Sequence, residues 1–253
     1  MRKIIVNFLN LLGLSDKKIV REDSHGNDIE VVYLSKKKIY RKISETSYGQ
    51  NLLDCEHKGL QWYLKRVKKN KSKIIKKFTR FKNYSEINIK KFDGVKISYE
   101  NSLIKNEKYL KQFILHYRHI WPKKKRVPCH GDMTFDNIIF NGNKILIIDW
   151  EYFKKSGEQW GFDLAYLILS AASFPYYRDE FIPEKDQGIL RKLWKKLIFL
   201  GLKGKIVVKP IDVFKNTFNS KLHWKKIIRK SPKKLFPYIL SKKFINHIHF
   251  IIN

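Results

Sequence analysis

Apolar and polar positions alternate along residues 28–43. Ile29, Val31 and Tyr33 share one side of a first run, and Ile39, Arg41 and Ile43 oppose Tyr40 and Lys42 in a second. A period of two on either side of a short polar gap predicts a β-hairpin. The period then lengthens: Leu52, Leu53, Glu56, Leu60 and Leu64 recur at helical spacing, so Glu56 can sit on a helix facing the second strand. Residues 84–89 and 95–99 read as further strands around Asp93-Gly94.

Downstream the helical period dominates. Leu103, Leu110, Phe113, Ile114 and Tyr117 mark an amphipathic helix, residues 164–172 a nearly all-apolar buried one, and Ile189, Leu190, Leu193, Trp194 and Leu197 a third. Val127 precedes a polar loop, and Ile138, Ile139 and Phe140 follow it as a short buried strand. Asn141-Gly142-Asn143 predicts a tight hairpin turn, after which residues 144–148 run back beside Ile138 to Phe140. After Asn216 aromatic and basic residues intermix without a clear period. The expected class is α+β and bilobal: a small β-rich lobe over residues 1–95 and a larger, mostly helical lobe over 96–253. No Gly/Ser/Pro linker divides the chain into independent units.

The loop carries the chemistry. Phosphoryl transfer needs a carboxylate to position and deprotonate the attacking hydroxyl, and a nearby side-chain oxygen to hold Mg²⁺ against the phosphates of ATP. Within His130-Gly131-Asp132-Met133-Thr134-Phe135-Asp136-Asn137, Asp132 and Asn137 offer those groups five residues apart. That is the separation of the Asp and Asn in the catalytic loop of protein kinases. The hairpin then returns Asp149 toward Asn137 as a second hard oxygen ligand. In the amino-terminal half, Lys42 is the candidate lysine for the phosphates and Glu56 its ion-pair partner, although Arg41 and Lys38 lie close by. Ser24-His25-Gly26-Asn27 is a thin nucleotide loop, in which only Gly26 permits close backbone approach.

His130-Gly131-Asp132 to Asn137, then Ile148-Asp149-Trp150-Glu151-Tyr152, then Gly161-Phe162-Asp163-Leu164-Ala165 resemble the aminoglycoside phosphotransferase and choline kinase superfamily. The last two runs look closer to its choline and ethanolamine kinases. This resemblance implies a protein-kinase-like fold and ATP with Mg²⁺ as cofactors. It further implies Asp132 as catalytic base, Asn137 and Asp149 as Mg²⁺ ligands, and His130 as a brace for the loop. Asp163 is then a structural acceptor for backbone N–H groups of that loop.

Composition bears on the substrate and the compartment. Lys and Arg number 54 against 23 Asp and Glu, a net +31, and residues 191–243 hold 17 basic residues with Asp212 as the one acid. Residues 65–91 hold 12 with Glu86 as the one acid. Such a field attracts anionic lipid headgroups, lipopolysaccharide or nucleic acid. Lysines outnumber arginines 44 to 10, however, so codon bias is a competing source of the charge. Polycationic aminoglycosides are repelled at long range, which makes an aminoglycoside-type kinase the alternative rather than the first reading. A singly charged choline-like cation could be held by Glu151 with Trp150, Tyr152 or Trp160. A sugar or glycan precursor of the envelope suits the field as well.

A nucleic-acid binder leaves residues 130–149 unexplained. A weak pseudokinase or polyanion-binding protein remains open on the strength of the thin glycine loop. Cys55 and Cys129 read as small buried residues of a cytoplasmic protein, with peripheral contact with the inner membrane face left open. The stripe Ile4, Ile5, Phe8, Leu9 and Leu12 reads as a helix packed on the small lobe in preference to a membrane-surface helix. Asn7, Asn10 and the lack of a small-residue cleavage site argue against a signal peptide.

Overall fold

A computed structural model of the chain describes residues 17–22, 29–68, 73–98, 101–176, 181–203 and 242–253. The chain divides into two compact units, Met1–Phe92 and Asp93–Asn253. Gly26 and the stripe from Ile4 to Leu12 lie outside the described residues.

Among the described residues the first unit is an antiparallel sheet with one helix. Its strands are β1 (Lys17–Glu22), β2 (Glu30–Leu34), β3 (Ile39–Ser44), β4 (Ile75–Arg80) and β5 (Ser85–Lys90), in the order β1-β2-β3-β5-β4. The expected hairpin is β2 with β3, in register from Glu30 opposite Ile43 to Leu34 opposite Ile39. Helix α1 (Ser47–Arg66) starts at Thr46, whose hydroxyl accepts the Gly49 N–H at 3.0 Å and so satisfies one of the orphan donors of the first turn. Leu53, Leu60, Tyr63 and Leu64 of α1 are buried with Ile87 of β5. Full burial of each such leucine or isoleucine is worth about 1.5–3 kcal/mol.

The second unit is built on helices α2 (Leu103–Ile120), α3 (Phe162–Ser173), α4 (Glu184–Lys203) and α5 (Lys242–Ile252). Every residue of α3 is buried, as expected of a helix apolar all round. Two short hairpin-like sheets accompany the helices: β6 (Arg126–Cys129) with β9 (Lys154–Gln159), and β7 (Ile138–Asn141) with β8 (Lys144–Ile147). Gly142, at φ +56°, makes the β7–β8 turn left-handed, as the Asn-Gly pair predicts. Pro128 sits in β6, whose sole partner strand among the described residues is β9, where a missing N–H is tolerated.

Two expectations are corrected here. Residues 95–98 form no strand: Val95 alone bridges Phe140, with hydrogen bonds of 2.8 and 3.0 Å, and so belongs to the second unit. Cys55 is half-buried on α1 and not a core residue, because it lies beside the buried stripe formed by Leu52, Leu53 and Glu56. Among the described residues no helix is long and apolar enough to cross a membrane.

Candidate active site

The loop after β6 is held from below by α3. Asp163, in the first turn of that helix, accepts the His130 N–H at 2.8 Å through Oδ2 and the Gly131 N–H at 3.1 Å through Oδ1. Total burial pushes the Asp163 carboxyl up to about 7, against the two N–H bonds, which favour its charged form. Gly131 is at φ +89°, and a Cβ there would lie 2.8 Å from the Tyr152 carbonyl oxygen. Only glycine fits both the dihedral and the approach.

His130 is fully buried and ties the loop to the residue that follows β8. Its Nε2 stands 2.8 Å from the Ile148 carbonyl oxygen, which can only accept, so the proton is on Nε2. Nδ1 is then an acceptor, and it takes the Asp132 N–H at 3.3 Å. The imidazole is inclined at 60° to the Trp150 ring with 4.7 Å between ring centroids.

Asp132 and Asn137 meet directly. The loop ends in a short 3₁₀ turn, Phe135–Asn137, and the Asn137 amide nitrogen donates to the Asp132 carbonyl at 2.8 Å and to Asp132 Oδ2 at 3.3 Å. With its nitrogen so engaged, the group Asn137 has left to offer a cation is its side-chain oxygen. The β7–β8 hairpin then does what its sequence predicts: Ile148 N–H donates to the Asn137 carbonyl at 2.9 Å, which brings Asp149 beside the loop. Asp149 adopts φ +64°, a left-handed conformation that aspartate tolerates better than most residues. Its carboxylate lies within 4.8 Å of that of Glu151. An amide oxygen and two carboxylates are hard donors, the set that suits Mg²⁺.

Sequence reasoning overlooked Tyr166. Its hydroxyl donates to Asp132 Oδ1 at 3.0 Å from the second turn of α3. The one signal in the chain is a phenol three residues after Asp163 in a mostly apolar helix. Trp150 is the converse case. It is fully buried, its indole N–H donates to the Ile147 carbonyl at 3.0 Å, and it lies in an aromatic tier with Trp121 and Phe153. It therefore offers no face to a substrate. Trp160 is likewise buried, 5.6 Å edge-on to Tyr117. Tyr152 is half-buried, and Glu151 is 9% exposed.

In the first unit, neighbouring residues of β3 point to opposite faces of the sheet, which separates Arg41 from Lys42. Lys42 Nζ pairs with Glu56 Oε2 at 2.7 Å, the side chains being 12% and 1% exposed. Arg41 instead pairs with Glu86 at 2.7 Å. Burial alone would raise the Glu86 carboxyl, but Arg41, Lys77 and Asn88 together hold it below the usual range. Lys38 sits in the β2–β3 turn at φ +50°. Of the three basic neighbours, Lys42 is thus the one paired with the helix. Cys129 is buried behind the loop, where burial first and the charge of Asp163 next push its thiol well up, so it is no nucleophile at neutral pH.

Residues 75–190 match the model of the phosphotransferase enzyme family. Over this segment the chain is similar to that family. The match takes in the whole run from His130 to Tyr166. Among solved structures, choline kinase LicA from Streptococcus pneumoniae is 14% identical, covering 99% of this chain and 98% of its own, with a TM-score of 0.45. Amicoumacin kinase hAmiN, in complex with AMP-PNP, Ca²⁺ and Ami, is 12% identical over 99% of this chain and 96% of its own, at 0.47. The streptomycin-ATP-APH(2")-IIa ternary complex is 10% identical over 96% and 97%, at 0.43. No curated protein matches the chain. At these identities and TM-scores none of the three structures bears on its substrate.

Proposed function

We propose that this protein is a phosphotransferase, a kinase that moves the γ-phosphoryl group of ATP to a hydroxyl of a small molecule. The acceptor is an amino alcohol of the choline type or a sugar or glycan precursor of the envelope. The observation that carries the reading is the direct Asn137–Asp132 contact, with Asp149 returned beside it by the β7–β8 hairpin. Asp132 orients the acceptor hydroxyl and receives its proton as the oxygen–phosphorus bond forms and the bond to the leaving ADP oxygen breaks. Asn137 and Asp149, with Glu151 near Asp149, are the residues that would hold Mg²⁺, which when bound neutralises charge on the phosphates. The Lys42–Glu56 pair fits a lysine kept in place for the α- and β-phosphates.

Support for the acceptor class comes from charge. A field of +31 disfavours polycations at encounter and tolerates monocations and anions. With Trp150 in the core, a choline-like cation has Glu151 and Tyr152 as its candidate contacts. The test is ADP production with amino alcohols, sugars and lipopolysaccharide fragments offered singly, run beside Asp132→Asn. One acceptor should stimulate the unaltered protein, and the variant should lose about 10²–10⁴ in rate, the usual worth of positioned base catalysis, with ATP affinity nearly unchanged. Retention of more than half of kcat by Asp132→Asn removes Asp132 from the mechanism.

A further inference from the structure

Helix α3 grips the catalytic loop at two points one turn apart. Asp163 takes the backbone N–H groups of His130 and Gly131, and Tyr166, on the same helical face, reaches the side chain of Asp132. The second contact is not needed to shape the loop backbone, which Asp163, His130 and Asn137 already tie. It acts on the carboxylate itself. The terminal torsion of aspartate is broad and weakly restrained when left alone. Here each oxygen receives a donor from a different direction, the Tyr166 hydroxyl on Oδ1 at 3.0 Å and the Asn137 amide on Oδ2 at 3.3 Å. Two donors on two oxygens set the plane of the carboxylate.

We propose that Tyr166 is a positioning residue for phosphoryl transfer, holding the Asp132 carboxylate in the orientation that receives the acceptor's proton. The proposal rests on the reading of Asp132 as the base. Tyr166 suits the task because it is itself immobile: 1% exposed, on a helix buried on every side, with its ring 6.1 Å from that of Phe162. Its phenol stays protonated, since burial and then the charge of Asp132 push it well up, so it is a permanent donor. A hydrogen bond to a carboxylate weakens it as a base. The advantage therefore lies in geometry, where an error of about 1 Å at a reacting group can cost on the order of 10²-fold.

Tyr166→Phe removes the hydroxyl and keeps the ring, so the packing of α3 is retained. The readout is release of labelled phosphate from γ-labelled MgATP with water as acceptor, measured for the unaltered protein, Tyr166→Phe, Asp132→Asn and the double variant. We expect Tyr166→Phe to lower kcat about 10- to 100-fold with the MgATP KM within about twofold, the scale of a misplaced reacting group. In the Asp132→Asn background the same change should cost less than about twofold, because contacts that act as a unit do not add.

A loss of the same factor in both backgrounds means that the hydroxyl only supports the fold, and overturns the proposal. So does Tyr166→Phe with more than half of the parental kcat. A separate failure is visible in the single Asp132→Asn variant: if that protein turns over normally, or the unaltered protein releases no phosphate, the base assignment itself falls and the proposal with it. A melting curve for Tyr166→Phe within a few degrees of the parent excludes unfolding as the source of the loss.

Discussion

At the residue scale, Asp132 is defined by what surrounds it more than by its own identity. Asn137 touches it twice and also offers an oxygen for a cation, whereas Asp149 is brought up by the hairpin. The two should therefore part on substitution. Asp149→Ala is expected to raise the Mg²⁺ concentration for half-maximal MgATP binding by roughly tenfold or more, since even partners one layer outside a metal are worth about 10- to 100-fold. Asn137→Ala should do the same and in addition lower kcat at saturating Mg²⁺. Magnesium titrations of nucleotide binding that coincide with the parent's in both variants would show that the cation is held elsewhere.

Asp163 supports a second prediction at this scale. Its folded pKa of about 7 stands above the ordinary 3.8, so the folded state holds the proton more tightly than the unfolded chain. Its contribution to stability is fully present below pH 4 and declines as pH rises to about 7, where the buried group becomes charged. Urea unfolding from pH 4 to 7 should show a downward component in the parent that is missing from Asp163→Asn. Parallel curves for the two proteins would contradict it.

At the element scale, helices are fastened to one another through their ends. The N-cap position of α2 is Ser102, which makes no side-chain cap, and the free N–H groups of Leu103 and Ile104 are taken by Asp186 of α4 at 3.3 and 3.1 Å. One carboxylate thereby caps one helix from another. Asp186→Ala should lower stability by about 1–2 kcal/mol, the worth of a good cap, without changing the MgATP KM. A variant with unaltered urea midpoint would mean that water replaces the carboxylate at no cost.

Element boundaries also show where periodicity stops being informative. The β2–β3 hairpin, α1, α2 and α4 all announce themselves through apolar spacing. β4, Ile-Lys-Lys-Phe-Thr-Arg, does not, because adjacent lysines break its alternation, and it forms by pairing with β5. β9, Lys-Lys-Ser-Gly-Glu-Gln, has no apolar residue at all and is a strand only because β6 pairs with it.

At the scale of the whole molecule the open property is charge. The basic run at 191–243 lies largely outside the described residues, so its distribution over the surface rests on sequence. We propose weak, reversible binding to anionic vesicles, because each Lys or Arg near such a surface contributes about 1 kcal/mol. The attraction decays over a Debye length of ~8–10 Å and should vanish by roughly 0.5 M salt. Sedimentation with anionic and neutral vesicles checks it. Equal, negligible pelleting in all conditions assigns the lysines to codon bias.

The sequence by itself determined the chemistry available: a carboxylate and an amide five residues apart, a turn that reverses the chain, and a further carboxylate after it. Those features are local, and local spacing with turn preference is enough to bring their backbones together. Only the tertiary structure decided which side chains meet. Trp150 lies between two acids in sequence yet turns into the core, where it packs with Trp121 and Phe153. Tyr166 is 34 residues from Asp132 and touches it. Such contacts depend on how one helix lies under one loop. No period in the chain records that placement, because it is set by the packing of apolar surfaces that many sequences could supply.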